Sequence, residues 1–203
     1  AMADCETVVN LQALVEECQS YLDNSEGGEE ARTALQETIN RYMGLSNVEA
    51  ITAYAEELEA ARQAFAKVAT PTGEQQFDMT FLVKNPDANG LVRAAVSDYG
   101  WVSCTNSWAN NFANGDGNNI AEFYESYISG SAFAAGTWVL YQMVNVPAGS
   151  YKMTLSAFGE AANGQTDKPL VASVYAGEVK GDAIASTEGV ATTEKLNNAY
   201  SVS

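Results

Sequence analysis

The sequence changes character at Thr70-Pro71, and this change constrains the fold more than any other feature. Residues 1–70 hold none of the 4 Pro and none of the 3 Trp, whereas residues 71–203 hold all of them, with most of the Gly. Pro breaks helix interiors, and Gly and Pro punctuate strands and turns. The first stretch can therefore form long helices, and the second reads as short strands between turns.

Within the first stretch, Val8, Leu11, Val15, Cys18 and Leu22 recur at three- and four-residue steps, which puts them on one helix face. Asp23-Asn24-Ser25-Glu26-Gly27-Gly28 ends that helix, because each Gly costs about 1 kcal/mol inside one. Ala31, Leu35, Ile39 and Tyr42 mark a second helix that stops at Met43-Gly44. Ser46 and Glu49 have the spacing of a capping box, which satisfies free amides at a helix start. Val48, Ile51, Ala55, Leu58, Phe65 and Val68 then define a third helix, closed by Thr70-Pro71. Three helices with short connections predict an up-down-up bundle over 1–70, with a linker over 71–76. Glu16-Glu17 and Glu56-Glu57-Glu59 fall off the apolar stripes, so they read as solvated faces.

In the second stretch strands are expected over 77–83, 100–104, 120–127, 137–144, 151–157 and 170–175. Tyr151, Met153, Leu155 and Ala157 alternate with Lys152, Thr154 and Ser156, a pattern of one buried and one wet face. The turn signal Val146-Pro147-Ala148-Gly149 predicts an antiparallel hairpin between the two strands it separates. The expected fold is multi-domain, α then β: a three-helix bundle, then an antiparallel β-sandwich over 77–203.

Charge and the missing histidine narrow the function. The chain carries 26 acidic against 10 basic residues, a formal net charge of −16. That balance argues against nucleic acid, whose phosphates require Lys and Arg, and against anionic membrane surfaces. No apolar run reaches the ~18 residues of a transmembrane helix. With no His, Ser-His-Asp and Cys-His nucleophilic sites are excluded, as is every His-ligated metal. Cys5 and Cys18, on one helix, would stand roughly 20 Å apart at ~1.5 Å per residue, too far for a disulfide. Cys18 reads as a small buried hydrophobe. A chain opening on Ala1-Met2 reads as a mature or excised fragment.

Four motifs in order, Asn85-Pro86, Gly100-Trp101, Tyr141-Gln142 and Pro147-Ala148-Gly149-Ser150-Tyr151, resemble the galactose-binding-like jelly roll of many carbohydrate-binding modules. The resemblance spans roughly residues 77–176. Together with a preceding helical bundle it is similar to secreted or surface proteins of polysaccharide-degrading gut bacteria. It implies a non-catalytic, secreted or cell-surface module, and it also implies a structural calcium near an acid after Asn-Pro, where Asp87 stands. The family's closing strands are not recognisable before Ser203, so the resemblance implies an open sheet edge, which invites strand exchange or another protein partner.

A sugar site needs an aromatic face for ring C–H groups and amides or carboxylates for hydroxyls. Trp101, Asn106, Trp108, Asn110 and Asp116 supply both within one Asn-rich segment, and Trp138 adds a further ring. Asp116, in Asn114-Gly115-Asp116-Gly117-Asn118-Asn119, is also a candidate calcium ligand beside Asp87, although a solvated turn accounts for the same residues. Glycoside hydrolysis requires two carboxylates across a cleft, yet Glu122 and Glu125 would face opposite sides of a strand. The expectation is therefore a binding module for a glycan. The rival is a structural or adhesion module that presents a protein-binding surface and takes no small ligand.

Overall fold

The computed structural model describes residues 2–44, 48–88, 97–98, 100–103, 112–113, 119–120, 140–157, 172–184 and 199–203. Over these residues the chain is mixed α and β, with three α-helices and small two-stranded antiparallel sheets. Contacts divide it into two compact units, Ala1–Val83 with Val144–Pro147, and Lys84–Met143 with Ala148–Ser203.

In the first unit, α1 (Met2–Asp23), α2 (Glu29–Asn40) and α3 (Val48–Ala66) pack around one core. Leu11, Cys18, Tyr21, Leu22, Leu35, Tyr54, Leu58, Phe65 and Ala66 are buried there. The expected stripes hold at their centres and at Leu22, and fail at two ends. Val8 and Val68 are exposed, while Tyr21, off the expected α1 stripe, is buried. The break after α1 is a left-handed pair, Gly27 at φ 79° and Gly28 at φ 64°. A Cβ on Gly28 would stand 2.9 Å from Val68 Cγ2, so this turn needs glycine for backbone conformation and for space. β1 (Ser25–Glu26) pairs there with β2 (Thr70–Pro71), where the third helix was expected to stop. The last turn of α1 has no basic residue of its own. Arg32 of α2 supplies the charge, donating to the carbonyls of Leu22 and Ser25 while lying over the Phe65 ring. The capping-box residue Ser46 lies outside the described residues.

The strand expected over 77–83 is corrected. The chain passes through Met79 at φ −107°, ψ 12° into a short 3-10 helix, Thr80–Leu82, and no described strand pairs with these residues. Phe77, Met79 and Phe81 pack on the helical core. Phe77 stacks on Tyr21 with ring centroids 4.4 Å apart. The alternating apolar residues do find a buried surface, but that surface is helical.

In the second unit β3 (Trp101–Ser103) pairs with β6 (Leu140–Gln142), and β4 (Phe112–Ala113) with β5 (Asn119–Ile120). β7 (Met153–Ser156) pairs with β10 (Ala199–Val202), and β8 (Ala172–Ala176) with β9 (Val179–Ile184) through a turn at Gly177, φ 60°. The hairpin expected across Pro147-Ala148-Gly149 is corrected, since the strands on its two sides take distant partners: β6 takes β3 and β7 takes β10. The alternation in β7 holds as a register, but the buried face is corrected: Tyr151, Met153 and Leu155 are all exposed. Val174 and Val202 form the buried apolar contribution of β8 and β10. Beside them β9 approaches β10 so closely that a Cβ on Gly181 would lie 2.5 Å from Val202 Cβ. No helix among the described residues is long and apolar enough to cross a membrane.

Candidate functional site

Three of the four sequence motifs converge on one peptide, that of Lys84. Gln142, on β6, aligns its side-chain amide with that peptide as a neighbouring strand would. The Lys84 N–H donates to Gln142 Oε1 at 2.8 Å, and Gln142 Nε2 donates to the Lys84 carbonyl at 3.1 Å. Trp101, opposite Gln142 in the β3–β6 register, donates its indole N–H to the same carbonyl at 2.8 Å. Gly100 precedes it at φ 71°, and a Cβ there would press on Lys84 Cδ at 3.3 Å. The chain then turns at Asn85 (φ 51°) and Pro86, closed by the Ala88 N–H donating to the Asn85 carbonyl at 3.2 Å. Asn-Pro, Gly-Trp and Tyr-Gln are thus parts of one clamp.

The clamp fixes Trp101 by its edge. The indole N–H is occupied by backbone, and the residue is half-buried. On the other face of the β3–β6 pair, Val102 lies opposite Tyr141 and both are exposed. Asp87 sits exposed on the Asn85-Pro86 turn. Asn106, Trp108, Asn110, Asp116 and Trp138 lie outside the described residues. Calcium takes six to eight oxygens, and no group of three or more acidic, Cys or His side chains among the described residues could hold a metal.

The first unit contains a polar cluster that sequence reasoning missed. Arg62 is buried on α3, where it donates to Glu59 at 2.7 and 2.8 Å, to Glu17 at 3.2 Å and to the Tyr21 hydroxyl at 3.1 Å. The Tyr21 hydroxyl also accepts the Asp78 N–H at 2.7 Å. Glu17 and Glu59, read from sequence as solvated faces, are half-buried partners of this cation, while Glu57 pairs with Arg41 at the surface. The signal was an Arg one turn from Leu58 and Phe65 with Glu three residues before it. Hydrogen bonds to Glu59 hold the guanidinium pKa above its ordinary value, and the same bonds hold Glu59 below its own. Burial pushes the Cys18 thiol and the Tyr21 phenol up to about 12. The cluster is thus one cation with its carboxylates, beside a thiol that is neutral at pH 7. This arrangement ties α1 to α3.

A shallow depression lined by Asn24, Thr72, Gly73, Glu74, Gln75 and Gln76 is open to solvent. Its Gln75 side chain is engaged with Ser20 and with the Gln76 carbonyl. No protein-family model, curated protein or solved structure matches this chain.

Proposed function

We propose that the chain is a non-catalytic, secreted or cell-surface module that binds carbohydrate through its β half. In this reading the architecture is a three-helix bundle followed by a galactose-binding-like β-sandwich. Three helices around one core and the exclusively antiparallel strand pairs of the described residues support it. The observation that carries the function is the Lys84 clamp. A stacking platform needs a ring whose orientation is fixed before the sugar arrives, and Trp101 is held at its edge by a 2.8 Å bond while the residue stays half-buried. Trp108 and Trp138 provide further rings, and Asn106, Asn110 and Asp116 bond the sugar hydroxyls. Affinity at one such site is weak and is raised by multivalency.

A glycan array followed by calorimetry tests this. The expected result is a hit whose affinity falls at least tenfold in Trp101→Ala and in Trp108→Ala. Silence across neutral, acidic and host glycans from folded protein overturns the reading. The rival, an adhesion module presenting a protein-binding surface, is favoured by one observation: Val102 and Tyr141 lie exposed side by side, with Met143 85% exposed just beyond.

A further inference from the structure

We propose that the outer edge of β7 pairs with β7 of a second copy of this chain, giving a four-stranded antiparallel sheet across a two-fold axis. β7 bonds to β10 along one edge, and among the described residues no strand pairs with the other. All four of its residues are exposed. The hydrogen-bond phase of that open edge follows from β10. The Ser201 N–H donates to Asp182 Oδ2 at 2.6 Å, away from β7. Ser201 is opposite Thr154, and in an antiparallel pair both partners then point their amide and carbonyl outward. Thr154 therefore presents both backbone groups to the open edge, and the contact between its hydroxyl and that of Ser201 at 3.1 Å fits the close side-chain spacing of such a pair.

A two-fold axis through Thr154 lets it exchange both bonds with its own symmetry mate. The same axis places Met153 opposite Leu155 of the second copy, on one face, so the apolar residues of both copies form a continuous row. An axis between Thr154 and Leu155 would set Met153 against Ser156 and mix the faces. Strand and register are thus self-complementary.

Charge selects a second copy as the occupant. Two molecules each carrying −16 repel wherever their acidic surfaces meet, yet residues 126–159 contain no Asp or Glu, in a chain with 26 of them. β7 lies in that window, with Lys152 the one charged residue beside it. Interface cores are depleted of charge in the same way. Exposed Met153 (39%) and Leu155 (37%) supply the apolar area.

Sedimentation equilibrium over a concentration series tests the proposal. The expected mass rises towards twice 21.6 kDa, and at lower concentration in 0.5 M salt than in 10 mM, where the screening length is about 30 Å. The double variants Met153→Lys/Leu155→Lys and Met153→Lys/Leu155→Glu test the register. The first sets Lys against Lys across the axis and loses the dimer. The second sets Lys against Glu and keeps it, although it is the more acidic of the two. A wild type that stays monomeric to millimolar concentration overturns the proposal, as does a Lys/Lys variant that dimerises like wild type. If either double variant unfolds, Thr154→Cys in a Cys5→Ser/Cys104→Ser background decides. Facing Cβ atoms about 5.5 Å apart are within reach of a short bis-methanethiosulfonate crosslinker, so treatment gives a covalent dimer, and its absence overturns the proposal. The glycan reading stands or falls separately.

Discussion

Gly181→Ala perturbs the second unit at the point where its strands come closest. A Cβ at this position would meet the Ser201 carbonyl oxygen, Val202 Cβ at 2.5 Å and Val202 Cα at 2.8 Å. Two of those three atoms are backbone, so no rotamer change relieves the clash and β9 must move off β10. Overpacking of this kind costs about 1–3 kcal/mol. Displacing β9 also loosens Val202, which is buried, and the Asp182 bond to the Ser201 N–H. At roughly 4–8 °C per kcal/mol for a domain near 100 residues, the unit should melt roughly 4–24 °C lower. The sequence supplies two separate reporters. All three Trp fall in the second unit, whereas the described α-helices belong to the first. Tryptophan fluorescence therefore follows the β half and ellipticity at 222 nm follows the helices. The expected result is a lowered fluorescence midpoint with an unchanged 222 nm midpoint. Gly177→Ala is the control for backbone strain alone: its φ is 60°, and a Cβ there meets nothing within 4 Å. It should cost about 1–2 kcal/mol. A Gly181→Ala midpoint within 1 °C of wild type refutes the close packing of β9 on β10.

Gln142→Leu removes two hydrogen bonds to the Lys84 peptide and should lower the fluorescence midpoint by the equivalent of about 1–3 kcal/mol, leaving 222 nm unchanged. Arg62→Met should destabilise the helical unit by about 1–3 kcal/mol, less than for a fully buried pair because Glu17 and Glu59 keep contact with water. Glu59 is depressed by its bonds to Arg62, so its contribution is complete above the unfolded carboxylate range, near pH 4.5, and is lost as pH falls through the lower folded value. Helix melting followed by 222 nm between pH 6 and pH 3 should therefore show a steeper acid loss in wild type than in Arg62→Met. In a Cys5→Ser/Cys104→Ser background, Cys18 should react with a disulfide reagent at pH 8 roughly a thousandfold more slowly in folded protein than in guanidinium, since burial raises its pKa from 9.0 to about 12.

Helices were legible in the sequence because their information is local. The stripes through Leu11, Cys18, Leu35, Leu58 and Phe65 recur within one turn and meet one core. Gly27-Gly28 and Pro71 punctuate the chain where it bends. Phe77, Met79 and Phe81 were read as a strand and are not one, because alternation marks residues that need burial and says nothing of the backbone or the partner that buries them. Strand pairing was the least legible feature. Trp101 pairs with Gln142 and Met153 with Val202, at separations where no short-range signal operates, so the Pro147-Gly149 turn pointed to the wrong neighbours. β9 escaped notice because Gly181 and Asp182 are poor strand formers, yet both are there for β10, one giving space and the other a hydrogen bond. In the candidate site the motif residues were visible, but their shared target was not: the Lys84 peptide has no side-chain signature.

The central claim is that the Lys84 clamp presents Trp101 as a preset stacking surface for a sugar. Calorimetry with the strongest glycan-array hit, on wild type, Trp101→Phe and Trp101→Ala, tests it most directly. Phe keeps a ring without the bond to the Lys84 carbonyl, so it should bind several-fold more weakly, while Ala should lose binding altogether. Equal affinity in all three folded proteins would contradict the account.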